Sequence, residues 1–498
     1  MSRYKPYFFV FTLICSLTGY GPLKADGIRY PWRAAPVIVL QGGQFDILFD
    51  NEEPVAIDSI RLEGPYYQAR VAVDHIDKGN HLFDSYTKAS VNTRIRAGVP
   101  RGTPEDLYDL VIFTGPKSHR SVRSVKVILE YKKQHRFIHI SDPHVSRQWV
   151  GSQENGYAKE LELFDKFVDI ANIIAPDFII MTGDLIHDYT RLSADSLGWG
   201  GILHTRPDQK PSAEEKFRNY FEGAKGFKGV SGLISPTFSI PGNHDFYGMD
   251  AGDFAAKSGQ WNRLCGKRTF GMSYGDTRVL FLDDYLGDPV IDVPDRAPLS
   301  GLQGDVLRRF METEGPGKIT ILAQHRPDRI DTAFCNRHGI RLVLNGHNHK
   351  PFRELVGKVP TLSIRPGSIS RSGSVSEWEK VLGFFRVFTV EDGNYTFTEA
   401  LRIVNNPVAD YASLEPNMLL TFQAPNDGSQ SRNVARLDNR FPSAFKDCGA
   451  RFVMKKGKYT VEGAQIKQVI ASGDYSVVDV KFDIGAGEVR QISIRSVN

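Results

Sequence analysis

At 498 residues the chain is too long for one hydrophobic core, and its length predicts about three domains. Hydrophobic residues at 41% and charged residues at 24% exclude a disordered or fibrous protein. A net charge of +4 on this length argues against a large nucleic-acid-binding face, although a local basic patch is compatible with it.

The N-terminus departs from the rest. Arg3 and Lys5 precede a short apolar run from Tyr7 to Leu17, followed by small and polar residues through Ala25. That layout predicts a secretory signal peptide over residues 1–25 and an exported protein, periplasmic or secreted. The apolar run falls well short of the roughly 20 residues that span a bilayer, so no membrane span is expected once the signal is removed. Ile14 stands before Cys15 where a lipoprotein signal would carry a small residue. Beyond the signal remain Cys265, Cys335 and Cys448, too few for a disulfide scaffold. Cys265 could pair with Cys335 in an oxidising compartment, or all three could be buried free thiols.

Residues 26–134 read as short strands punctuated by turns. The clearest are Val37–Leu40, Phe45–Phe49, Ser59–Leu62, Asp109–Phe113 and Ser124–Leu129, with Gly42-Gly43, Gly64-Pro65 and Gly115-Pro116 between them. The spacing predicts an all-β, Ig-like sandwich domain. From residue 135 to 405 strands alternate with helices. Phe137–Ile140 reads as a strand and Tyr157–Ile174 as a helix, with Leu161, Phe164, Phe167, Val168 and Ala171 on one face. Strands follow at Phe178–Met181, Thr237–Ile240, Val279–Leu282, Ile319–Leu322 and Leu342–Leu344, with helices at Ala213–Phe221 and Leu302–Met311. This is an α/β layered domain, in which ligands gather at the strand C-termini. Residues 406–498 return to alternating strands, such as Ser476–Phe482 and Val489–Ile494, and predict a second all-β domain.

The chemistry-bearing residues sit at the ends of the α/β strands. Asp142 and His144 follow the first strand, Gly183-Asp184 the second, and Gly242-Asn243-His244-Asp245 the third. His325 and Gly346-His347-Asn348-His349 end two more. Singly, each has an ordinary reading as a turn or a structural histidine. Jointly they do not, because thirteen histidines are spread over the chain and five fall inside these motifs. Asp142, His144, Asp184, Asn243, His325, His347 and His349 form a mixed oxygen and nitrogen set. It suits two ions of zinc, manganese or iron better than magnesium or calcium. Asp184 is the natural carboxylate to bridge them. An extended His-x-His would put the imidazoles of His347 and His349 on one side.

In this order the motifs resemble those of the calcineurin-like metallophosphoesterase superfamily, nearest to the class III cyclic-nucleotide phosphodiesterases and related exported enzymes. The resemblance covers Arg136 to Val404. It implies a two-sheet β-sandwich flanked by helices, with the metals at one edge. It assigns Asp142, His144, Asp184 and His349 to a first divalent or trivalent ion, and Asp184, Asn243, His325 and His347 to a second. His244 would face the scissile phosphate as general acid, with Asp245 fixing its orientation. The reaction implied is hydrolysis of a small phosphomonoester or phosphodiester by a hydroxide bridging the two ions.

Purple acid phosphatases carry a tyrosine three residues after the Gly-Asp aspartate. Here that position is His187, which puts that branch in doubt, and His187 itself reads as a solvent-facing loop histidine. The stretch from Tyr189 to Pro211, with Trp199, His204 and Arg206, sits where substrate would approach, and Arg326 is a candidate phosphate contact. The competing readings are a nuclease of the same superfamily, opposed by the near-neutral charge, and a non-catalytic scaffold. In the scaffold reading the flanking β domains would bind glycan or protein.

Overall fold

The computed structural model describes residues 27–50, 56–84, 88–145, 156–187, 213–224, 226–246, 249, 254–284, 302–358, 361–369, 383–405 and 415–497. The predicted signal peptide and the stretch from Tyr189 to Pro211 lie outside the described residues.

Two sheets stack face to face in the middle of the chain. In the first, the parallel strands Gln134–Ile140, Phe178–Thr182 and Thr237–Ile240 lie side by side, and Phe384–Glu391 joins antiparallel. In the second, Thr277–Phe281, Ile319–Ala323, Leu342–Leu344 and Thr361–Arg365 run parallel between two antiparallel edges. These strands read as continuous apolar runs because both faces are covered. Phe137, Phe178 and Ile240 from the first sheet pack against Phe281, Ile321 and Ile364 from the second. Outside the first sheet lies the helix Gly156–Ile174, which buries Phe164, Phe167 and Ala171 against Ile138 and Met181. Outside the second lie Leu302–Glu314 and Thr332–Arg337, which place Leu307, Phe334 and Cys335 on Leu322 and Val343. The domain is thus a mixed α/β sandwich, and every strand that carries a motif ends at the same edge. Cys265, Cys335 and Cys448 are buried free thiols.

The strands between Ile28 and Ile128 form a continuous eight-stranded path. Its halves share a core containing Ile47, Ile95, Leu62, Leu110 and Val127. The strand Gln68–Asp84 links the halves: its start pairs with Ser59–Glu63 and the rest with Ala89–Gly98. From an exposed–buried alternation over Gln68 to Val71 it passes into a run exposed on both faces, so no periodicity announced its length. Its last residue, Asp84, is buried on the α/β domain, accepting from Asn262 Nδ2 at 2.7 Å and lying 3.6 Å from Arg268 Nε. Arg268, whose side chain is 2% exposed, also pairs with the buried Asp283. Removing the nearest carboxylate from a buried guanidinium is costly, so Asp283→Ala should destabilise the protein by about 3–5 kcal/mol. Denaturant unfolding checks this, and an unshifted midpoint would contradict it.

The strands from Met418 to Val497 form two smaller sheets, of four and three strands. They do not keep a separate core. Phe445, Phe452, Val478 and Ile494 pack into the same cluster as Phe164 and Phe167 of the helix Gly156–Ile174. Arg451 further binds Asp106 of the N-terminal strands at 3.0 Å, together with its neighbour Asp479. Among the described residues, no helix is long and apolar enough to cross a membrane.

Candidate metal centre

The first sheet delivers Asp142, His144 and Asp184 by ending its strands abruptly. The strand Gln134–Ile140 stops two residues before Asp142, and Phe178–Thr182 stops two before Asp184. Asp142, His144, Asp184, His347 and His349 all adopt left-handed backbone, with φ between +47° and +73°. Non-glycine residues rarely hold that conformation, and it concentrates where geometry serves a site. Backbone bonds lock the turns: Asp142 N–H donates to the Gly183 carbonyl at 3.1 Å, and His144 N–H to the Asp184 carbonyl at 3.0 Å. Two glycines allow the strand ends to close on one another. A Cβ on Gly346 would stand 1.8 Å from Ser141 Oγ, and one on Gly242 would stand 2.3 Å from Asp184 Oδ1.

These turns bring all seven predicted donors together. Asp142, His144, Asp184 and His349 form one group, with one donor atom of each within 4.8 Å of the others. His144 Nε2 and His349 Nε2 are 2.9 Å apart, and Asp142 Oδ1 lies 3.7 and 3.5 Å from them. Asp184, His325 and His347 form a second group. Asn243 Oδ1 lies 3.2 Å from both His325 Nε2 and His347 Nδ1, so it belongs to the same cluster. Asp184 is the shared member. Its buried Oδ2 lies 3.6 Å from His144 Nε2 and 3.2 Å from His325 Nε2, one contact in each group. Nitrogens facing nitrogens and carboxylates at such distances, buried but for the partly exposed His347 and His349, are what a cation site requires and a hydrophobic core forbids.

The His-x-His segment is not extended, contrary to expectation. Left-handed turns at both residues separate the rings, so His347 faces the second group and His349 the first. Asp245 also differs from expectation. Its carboxylate accepts backbone N–H groups from Gly242 at 2.8 Å, Asp184 at 3.1 Å and Ile186 at 3.1 Å. It therefore braces the loops, while the His244 ring is held by its Nδ1 at 2.5 Å from the His187 carbonyl. His187 is not solvent-facing. It is fully buried, with its ring centroid 4.7 Å from that of His244 and 5.5 Å from that of His144. A second unforeseen residue is Asp284, whose Oδ2 accepts the Arg326 N–H at 2.5 Å beside His325. Its signal was present, since Asp283-Asp284 follows an apolar strand two and three residues past its end, much as Asp142 follows its own at two. Arg326 spends its guanidinium on Asp328, at 2.8 and 2.5 Å.

The electrostatics are those of a buried negative centre. Burial raises the Asp184 carboxyl, but the neighbouring His325 and His244 outweigh it and hold the group well below the usual range. Burial disfavours charge on His325, yet Asp184 more than offsets this and raises it to about 10. His347 falls to about 3, through burial and the charge on His325. Burial pushes Asp284 up to about 7 and, with Asp184 beside it, lifts Asp245 well above a normal carboxyl. A field that holds a proton on His325 so firmly equally favours a cation.

Residues 135–351 match the family of calcineurin-like phosphoesterases. They form a calcineurin-like phosphoesterase domain. The phosphoesterase domain is accordingly a hydrolase acting on phosphoester bonds. A search of curated proteins finds no match. Among solved structures, similarity extends to a conserved uncharacterised protein of Streptococcus pneumoniae TIGR4 described as a predicted phosphoesterase. That overlap has 15% identity and a TM-score of 0.23, covering 53% of this chain and 90% of that one. GAP50, the anchor in the inner membrane complex of Plasmodium, overlaps at 12% identity and TM-score 0.32, covering 57% and 87%. A Vps29 mutant from Entamoeba histolytica overlaps at 13% identity and TM-score 0.26, covering 55% and 95%. The assignment of the phosphoesterase domain rests on the family match and not on these overlaps.

Proposed function

We propose that the chain is an exported, dinuclear-metal phosphoesterase that cleaves small phosphodiesters or phosphomonoesters, similar to the class III cyclic-nucleotide phosphodiesterases. The single observation that carries this is the Asp184 carboxylate, shared between two clusters of donors. Asp142, His144, Asp184 and His349 would hold one ion of zinc, manganese or iron, and Asp184, Asn243, His325 and His347 the other. Such ions, when bound, supply Lewis acidity toward the phosphoryl oxygens and lower the pKa of water at neutral pH.

The chain's own residues do the rest. His244 has its Nδ1 held at 2.5 Å by the His187 carbonyl, which fixes the ring, and its Nε2 would deliver a proton to the departing alkoxide. Asp245 ties the loops carrying Asp184 and His244 into one unit through three backbone N–H groups. In this reading the chain divides into a signal peptide at 1–25, an Ig-like sandwich at 26–134, the catalytic domain at 135–405 and a second β domain at 406–498. The β domains would offer glycan or protein contacts. Neither a nucleic-acid partner nor a membrane span belongs to the proposal.

The test is hydrolysis of bis(p-nitrophenyl) phosphate and p-nitrophenyl phosphate by the purified chain, before and after chelation. Turnover of at least one ester should vanish with chelation and return with zinc, manganese or iron. Turnover indifferent to chelation, or none on either ester with metal supplied, would overturn the proposal.

A further inference from the structure

The strand Gln68–Asp84 leaves its own sandwich to reach the α/β domain, and a cavity of about 330 Å³ lies where it lands. Asp84 is anchored there by Asn262 and Arg268, so the two residues before it, Leu82 and Phe83, are held as part of the cavity lining. The helix Leu302–Glu314 contributes Val306, Arg309 and Phe310, which the helical period sets on one face. Residues 267–271 complete the enclosure. The volume is that of a small-molecule site, and Leu82 is left 48% exposed beside it.

Charge in this lining is unbalanced. Lys267, Arg268 and Arg309 stand against a single carboxylate, Asp84. Arg268 is already engaged by Asp84 and Asp283. Among the described residues, the side chains of Lys267 and Arg309 have neither a hydrogen bond nor a carboxylate partner. The Lys267 ammonium lies 4.4 Å from the centroid of the Tyr30 ring, and burial lowers it to about 8 despite the pull of Asp46. A cation withdrawn from water without a carboxylate is costly, and a bound anion relieves that cost. Leu82, Phe83, Phe270 and Phe310 make much of the remaining surface apolar. We propose that this cavity binds a small organic anion, whose charged oxygens meet Lys267 and Arg309 while its apolar body packs on Phe83, Phe270 and Phe310. None of the seven metal donors lines the cavity, and the inference does not rest on the two-metal reading.

The experiment titrates the full chain with 4-bromophenylacetate by calorimetry, alongside its Lys267→Gln and Arg309→Gln variants. The wild-type chain should bind at millimolar concentration or below, and each variant about tenfold more weakly. Phosphoester turnover should be the same in all three, which places the loss away from the metal centre. No binding by the wild type, or an affinity unchanged in either variant, overturns the inference. A wild-type chain without turnover would sink the two-metal reading instead and leave the titration intact. Arg309 is exposed, so its variant still decides should Lys267→Gln not fold. Bromine anomalous scattering from a soaked crystal then fixes the position. A peak beside Lys267 and Phe310 supports the inference, and a peak only at the metal centre or at a lattice contact overturns it.

Discussion

Asp184→Asn should remove both metals together. Asparagine keeps the shape and one carbonyl oxygen but loses the charge that both donor groups share, 3.6 Å from His144 on one side and 3.2 Å from His325 on the other. Loss of a supporting partner outside the coordination sphere costs roughly 10–100-fold in metal affinity. A shared ligand should exceed that, so affinity should fall by more than about 100-fold and turnover at limiting metal with it. Metal titration of the apo variant measures the effect. A variant that keeps one ion at wild-type affinity would mean that Asp184 serves a single site.

His244→Ala should do the opposite, sparing the metals and removing catalysis. His244 lies outside both ligand groups, and its backbone N–H, which donates to Asp184 Oδ1 at 2.8 Å, survives the substitution. General-acid catalysis contributes roughly 10²–10⁴-fold, and turnover should fall by that order with metal content unchanged. The loss should be larger for an alkyl phosphoester than for a p-nitrophenyl one, because the nitrophenolate leaves without a proton. Equal losses on the two esters would argue that His244 holds the phosphate and does not protonate the leaving group.

The donors were legible in the sequence for a physical reason. Parallel strands buried on both faces read as apolar runs, and in a layered α/β domain their C-terminal ends meet at one edge. Asp142, Asp184, Asn243, His325 and His347 each follow such a run. What periodicity does not encode is backbone conformation beyond the strand. The left-handed turns at His347 and His349 send two neighbouring histidines to different groups, where an extended segment would have kept them together. His187 was misplaced for the same reason, since its position depends on a bridge between Val145 and Ile186. Asp245 was placed in the site, but its partners are backbone N–H groups from three loops, which residue types do not announce. The long strand ending at Asp84 alternates only as far as Val71 and then runs exposed on both faces, with no periodicity to read. The merging of the last strands with the helix Gly156–Ile174 into one core was equally silent, because apolar alternation shows that a face is buried but not against what.

The central claim is that Asp184 lies between two metal ions, and the most direct measurement is anomalous scattering from crystals of the full chain grown with manganese or zinc. Two peaks should flank the Asp184 carboxylate, one among Asp142, His144 and His349 and the other among Asn243, His325 and His347. A single peak, or metal bound only where Asp184 does not reach, would contradict it.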